Sequence, residues 1–358
     1  MVTVNVVFGN PNKFYFEGEK LLVKLEVSVD NPVNIHTILA IFVGECNCSG
    51  DSDFERKTRV KERNENEIYF DDILPVYVAS GENCCFSKGV HQYPIEYQLP
   101  CSLPSSLESP QGHVRYSLKV VTDVGGTLLK SCHYFTVVAK INLNNDAAAN
   151  LPIVLWKHES QCIFACVCPR NGLVRAFVHI SRKSFVPGER LTINAEVWNF
   201  SSLPVNWVKA AVVQILKYNC TKAAKRKRVV AEVTRGCILP RDNQVWRSES
   251  LCIPAIPPSS CSVKRMITVK YKLYFMIKTS WQEKAICLKE NVTIGTVPLM
   301  GCKQSEERGQ GEGKATLNNS SYHYSDLEPC IFGPHSVIEE DETSSFSPLY
   351  PVYTEPYN

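Results

Sequence analysis

No stretch of this 358-residue chain approaches the ~20 consecutive apolar residues that a membrane-spanning helix needs. Its longest apolar runs, such as Ile38 to Val43, have the length of a strand. The start, Met1-Val2-Thr3-Val4-Asn5, shows neither the basic leader nor the apolar core of a secretory signal. Long amphipathic helices are missing as well; before residue 298 no convincing one exceeds about three turns. Charge of one sign is scarce: 39 Lys and Arg face 36 Asp and Glu, and a net +3 gives no reason to expect nucleic acid. The signatures of common enzymes are also absent. There is no Gly-x-Ser-x-Gly elbow, no Walker-type loop and no His-Glu-x-x-His. Gly309 to Gly313 is glycine-rich, but no strand pattern precedes it and no helix pattern follows, so it is not a phosphate cradle. Neither an enzyme nor a cofactor is expected.

Sixteen cysteines are present. Without a visible leader they read as thiols of a reducing compartment, and the six Asn-x-Ser/Thr sequons, Asn199 among them, as unglycosylated. A secreted immunoglobulin-like binding protein with disulfides is the alternative this leaves open. Cys162, Cys166 and Cys168, with Cys132, His133 and His158 nearby in the chain, invite a metal reading. Their spacing does not match the paired knuckles of zinc sites, and on a strand Cys166 and Cys168 would share a face as small hydrophobes. Cys46, Cys48, Cys84 and Cys85 are read in the same way, as buried or incidental thiols, so no metal is expected.

Residues 1–297 alternate strand after strand, as in Leu21 to Val29, Tyr116 to Val120 and Met266 to Tyr274, with Pro, Gly, Asn and Ser between the runs. This predicts an all-β protein of sandwiches, and at ~150 residues per domain the length calls for two. A repeat supports the count. Phe16-Glu17-Gly18-Glu19 leading into Leu21 to Val27 recurs as Phe185-Val186-Pro187-Gly188-Glu189 leading into Leu191 to Val197, at a constant offset of 170 from the glycine onward. Leu21, Val23, Leu25 and Val27 should face one core, and Leu191, Ile193, Ala195 and Val197 the other. The expected division is a sandwich over 1–141, a linker over 142–150, a sandwich over 151–299 and an acidic, disordered tail over 300–358.

From Pro298 onward ten acidic residues face three basic ones, so the tail carries −7 and the body +10. The end of the tail combines Pro with Tyr in Pro348-Leu349-Tyr350-Pro351-Val352-Tyr353, the composition of a short linear ligand. WW domains take extended Pro-rich segments into an aromatic groove, and their strong ligand is Pro-Pro-x-Tyr. Pro351 and Tyr353 keep its second Pro and its Tyr; Pro348 and Tyr350 form a weaker echo. The competing reading is a tail whose aromatics dock on the body. The sharpest charge run, Lys222-Ala-Ala-Lys225-Arg226-Lys227-Arg228, reads as a solvated hairpin loop, as a contact for phosphorylated or lipid-phosphate partners, or as an import signal.

Several connected stretches resemble a known family. Arg182-Lys183-Ser184-Phe185-Val186-Pro187-Gly188-Glu189 is similar to its Arg-Lys-x-aromatic-x-Pro-Gly-Glu motif. Ala195 to Ser202, Trp246 through Ile253 to Pro258, and Ile294-Gly295-Thr296-Val297-Pro298-Leu299 resemble further motifs in the same order. Across residues 1–300 the chain resembles the arrestin domain-containing proteins, the α-arrestins. The resemblance implies two arrestin-type sandwiches without enzymatic activity. It further implies an adaptor that binds cytoplasmic segments of membrane receptors or transporters and recruits HECT-type ubiquitin ligases through their WW domains. Such a protein would be cytoplasmic and peripheral at the plasma membrane and endosomes, with anionic lipids as a further partner. A retromer-like arrestin-fold sorting subunit, acting without a ligase, is the alternative within trafficking.

Overall fold

The computed structural model describes residues 1–48, 65–80, 84–161, 172–220, 224–261, 265–300, 324–333, 335–336 and 345–353. The first sandwich is built from β1 (Val2–Phe8), β2 (Phe14–Phe16), β3 (Lys20–Val29), β4 (Val33–Cys48), β5 (Glu65–Val78), β6 (Cys85–Phe86), β7 (Gly89–Gln98), β8 (Gly112–Val124) and β9 (Thr127–Val138). One sheet has the order β1-β3-β7 and the other β2-β9-β8-β4-β5, with β6 paired to β4. Period-two alternation dictates which face is buried. On β3, Leu21, Val23, Leu25 and Val27 are all 4% exposed or less. Across the interface the Phe42 and Tyr97 rings stack at 4.0 Å, joining the two sheets. Burial of each such side chain is worth about 1.5–3 kcal/mol, which is why the alternating pattern determines the architecture.

The second sandwich repeats the plan with β10 (Ile153–Gln161), β11 (Gly172–Ile180), β12 (Ser184–Phe185), β13 (Arg190–Asn199), β14 (Val205–Tyr218), β15 (Ala224–Arg235), β16 (Asn243–Cys252), β17 (Ile267–Thr279) and β18 (Ile286–Ile294). Its sheets run β10-β11-β13-β16 and β12-β18-β17-β14-β15. Leu191, Ile193, Ala195 and Val197 are buried on β13, and Trp246 meets Phe275 edge-on at 5.3 Å across the core. The repeat in the sequence is thus a repeat in space. In both copies a short strand before the glycine turn pairs in parallel, β2 with β9 and β12 with β18.

Among the described residues the only helix is a single 3-10 turn, Leu143–Asn145, and none is long and apolar enough to cross a membrane. That turn belongs to the connection between the sandwiches and is not loose. The Thr296 hydroxyl accepts a hydrogen bond from the Ile141 N–H at 2.7 Å, and Leu143 N–H donates to the Val297 carbonyl. Leu143 itself is buried against Gly295, where an added Cβ would lie 2.5 Å from its side chain. Cys46, Cys48 and Cys84 are buried apolar filling of the first sandwich and Cys85 is exposed, while Cys162, Cys166 and Cys168 lie outside the described residues.

Beyond Met300 the structure describes three pieces of the tail. β19 (Asp326–Pro329) pairs antiparallel with β22 (Leu349–Val352), and β20 (His335–Ser336) with β21 (Ser345–Phe346). Residues 301–323, including Gly309 to Gly313, lie outside it.

Candidate functional site

Three of the sequence motifs, the Gly188 turn, Ile253 to Pro258 and Ile294 to Leu299, lie at the junction between the sandwiches, whereas Asn199 braces loops of the second sandwich alone. Gly188 takes φ +94° in the turn after β12, a conformation that L side chains rarely adopt. The Glu189 carboxylate closes the turn by accepting from the Val186 N–H at 2.8 Å, and it pairs with Arg182 at 3.0 Å. Asn199, fully buried, donates through its side-chain amide to the carbonyls of Leu203, Ile238 and Leu239, so it is a structural cross-brace rather than an accessible sequon. Ile253, Ala255 and Ile256 are buried, and the Pro257 carbonyl accepts from the Tyr271 hydroxyl at 2.5 Å.

Polar groups from both sandwiches also meet here. Arg115 holds Glu108 in a bidentate pair at 2.8 and 2.9 Å, and both side chains are almost fully buried. Burial pushes the Glu108 carboxyl up, against the pull of Arg115. Its backbone carbonyl accepts from Arg228 of the second sandwich at 3.1 Å, and Tyr218 donates to Ser109 at 2.9 Å. Beside this network burial, with Arg115 adding to it, pushes His113 down to about 4. At a second polar bridge Arg265 pairs with Glu67 at 3.2 Å and donates to the Ser102 carbonyl. A cavity of about 520 Å³ opens between the sandwiches, with Leu103, Leu107 and Val114 on one wall and Pro258, Ile267 and Val269 on the other.

The Pro/Tyr segment of the tail is found at the same junction. Expected as a solvated linear ligand, it is instead packed, as the competing reading has it. Pro348, Tyr350 and Pro351 are buried and Tyr353 is half-buried. Tyr350 is 0% exposed in a cluster with Phe14 and Val138 of the first sandwich, Ala255 of the second, and Cys330 and Val352 of the tail. Its hydroxyl donates to the Ser106 carbonyl at 2.7 Å. The Leu349 N–H donates to Thr136 at 3.2 Å, the Tyr353 N–H to the Pro187 carbonyl at 2.9 Å, and the Tyr353 hydroxyl to the Thr296 carbonyl. Burial pushes the Tyr353 hydroxyl up to about 12. Tyrosine is an apt anchor because it buries a large ring and satisfies its own hydroxyl. Apart from the two tyrosine hydroxyls, which are bonded, Pro348 to Tyr353 carries no polar side chain that would need a partner.

The basic run needs a correction. Lys225, Arg226, Lys227 and Arg228 lie on strand β15, not in the loop, and Lys222 lies outside the described residues. Strand alternation then splits the run. Arg228 turns toward the junction and stacks at 4.3 Å on Phe332 of the tail. Lys225 and Lys227 are exposed on the other face. By register, Lys225 sits opposite Lys217, and Lys227 opposite Ile215, which in turn faces Lys270. Lys272, and Lys289 opposite Tyr274, extend the same face. Glu232, a carboxylate on this face, is held by Lys209 at 3.1 Å. The sequence reading missed Lys217, Lys270, Lys272 and Lys289 because only pairing of distant strands brings them together.

Among the described residues no group of three His, Cys, Asp or Glu could hold a metal ion. Comparisons with known proteins agree with the architecture. The model of the arrestin (or S-antigen) N-terminal domain matches residues 4–144, and that of the C-terminal domain residues 170–299. Arrestin domain-containing protein 17 of Caenorhabditis elegans is 26% identical over 348 residues, covering 91% of this chain and 79% of its own length. Arrestin domain-containing protein 1 of Rattus norvegicus is 22% identical, covering 90% and 71%. Arrestin domain-containing protein 4 of Homo sapiens is 29% identical over 268 residues, covering 74% and 62%. The chain, with two matching domains in order and the glycine-turn repeat in each, belongs to the arrestin domain-containing family.

Proposed function

We propose that the protein is a non-enzymatic adaptor in membrane-protein trafficking. It would bind cytoplasmic segments of receptors or transporters and bring them to HECT-type ubiquitin ligases, at the plasma membrane and on endosomes. The observation that carries this reading is the combination of an arrestin body with a Pro/Tyr segment seated at its junction. Two sandwiches present long sheet edges and faces on which extended peptides can add. Weak contacts of cargo, ligase and membrane then reinforce one another through effective concentration.

The lysine face of the second sandwich supports membrane proximity. Lys217, Lys225, Lys227, Lys270, Lys272 and Lys289 line one side of a broad sheet, with Ile215 and Val213 between them. Such a face suits anionic headgroups, each lysine near the surface contributing about 1 kcal/mol. Pro351 and Tyr353 are the residues that would enter a WW groove. The test is titration of isolated WW domains from HECT-type ligases with a synthetic peptide of residues 325–358. Micromolar binding that Tyr353→Ala abolishes is the expected result. No binding to any of them would remove the ligase step and favour a sorting subunit that works without one.

A further inference from the structure

We propose that Leu349 to Tyr353 form a releasable latch across the two sandwiches, and that the latch conceals the Pro/Tyr ligand while it is closed. Both sandwiches hold these five residues. Ser106, Thr136, Phe14 and Val138 belong to the first; Ala255, Pro187 and Thr296 belong to the second or its closing segment. A WW domain needs its ligand extended and open on the side that meets the groove. Here Pro351 is buried and both hydrogen-bond donors of Tyr353, its N–H and its hydroxyl, are taken by the body. One segment cannot satisfy the junction and a WW groove together.

The same geometry accounts for the departure from Pro-Pro-x-Tyr. The position of the missing first proline is Tyr350, the most deeply buried part of the latch. A proline there has no aromatic ring for the Phe14, Val138 and Ala255 pocket and no hydroxyl for the Ser106 carbonyl. The tyrosine therefore belongs to the junction and not to the WW motif.

Release requires no change in either sandwich. The ladder partner of β22 is β19, itself part of the tail, so among the described residues no strand pairing ties β22 to the body. What holds the segment is the apolar cluster and a few hydrogen bonds, and it can leave with β19 as one unit. A partner that binds only the released tail sees its affinity reduced by the fraction of chains that are open. By reciprocity, that partner loosens the junction.

The proposal rests on the ligase reading for the identity of the partner, and the experiment separates the two. Isolated WW domains are titrated with a synthetic 345–358 peptide, with the full chain, and with the full chain carrying Gly188→Ala. An added Cβ at Gly188 would run into the Tyr353 backbone, whereas at Gly18, the equivalent turn with φ +72°, it meets only the Cys101 sulfur. Gly18→Ala is therefore a control with similar backbone strain and no tail contact. The peptide should bind roughly tenfold tighter than the full chain, or more. Gly188→Ala should recover most of that gap and Gly18→Ala none. Hydrogen exchange at the Leu349 and Tyr353 amides should be slow in the full chain and fast in Gly188→Ala. Equal affinity of peptide and full chain, or fast exchange at both amides, overturns the latch. If no WW domain binds the peptide, the ligase reading fails and exchange alone decides: slow upholds the latch and fast overturns it. Should Gly188→Ala not fold, Tyr350→Ala, compared with a peptide bearing the same change, gives the same readout.

Discussion

In the first sandwich Gly18 turns the chain at φ +72°, the Glu19 carboxylate accepts from the Phe16 N–H at 2.9 Å, and Gly18 N–H donates to Pro100. In the second, Gly188 turns at φ +94°, Glu189 accepts from the Val186 N–H at 2.8 Å, and Gly188 N–H donates to Ile253. The two devices match bond for bond. Their surroundings differ. Glu189 has an added ion pair with Arg182, and the turn it stabilises presents the Pro187 carbonyl to the tail; among the described residues Glu19 has no arginine partner, and its turn faces Cys101. Duplication supplies the turn, and its position beside the junction decides whether it also becomes a docking point.

The largest asymmetry to break is the buried ion pair, which only the first sandwich contributes to the junction. Arg115→Ala leaves the Glu108 carboxylate buried without its partner and should cost about 3–5 kcal/mol in denaturant unfolding. A change below 1 kcal/mol would mean that water reaches Glu108. His113 comes next. Its folded pKa lies near 4, below the ordinary 6.5, so the unfolded chain binds the extra proton between those values and stability falls as pH drops through that window. The loss should reach about 3 kcal/mol at pH 4 and be smaller in His113→Asn, read by melting curves at pH 7, 5.5 and 4.

The paired turns give a smaller and more direct comparison. Glu19→Ala removes one hydrogen bond to a backbone N–H and should cost about 1 kcal/mol. Glu189→Ala also strips Arg182 of its half-buried partner, so it should cost about 1 kcal/mol more. Equal losses would show that the Arg182 pair contributes nothing. The lysine face yields the smallest change per residue. Each of Lys225→Ala and Lys272→Ala should weaken binding of the full chain to vesicles containing phosphatidylserine by about 1 kcal/mol or less, with the difference vanishing at high salt. Lys20→Ala, on β3 of the first sandwich, should leave vesicle binding unchanged.

The fold was legible because period-two burial is a local property: Leu21 to Val27 and Leu191 to Val197 show their cores without any knowledge of their partners. The glycine turn was equally legible, since positive φ and the closing Glu lie within four residues. The loop placement of the basic run fails because Lys225 to Arg228 continue a strand whose alternation splits their charges between two faces, and the lysines that complete the outer face come from β14, β17 and β18. The tail was read by composition, which reports low burial potential on average. Tyr350 escapes that average because a few aromatic and apolar residues can bury themselves against a surface built by other parts of the chain.

The sequence by itself determined two β-sandwiches, their order, their repeated turn and the identity of the residues in each core, because these follow from side-chain periodicity and backbone preference within short windows. The tertiary structure decided what those elements do to one another. It placed Glu108, Arg115 and Arg228 in one buried network, gathered lysines from four strands on one face, and seated Tyr350 and Tyr353 between the sandwiches. Each of these includes contacts between residues tens to hundreds of positions apart, and only the packing of sheets brings such residues within hydrogen-bonding or van der Waals range.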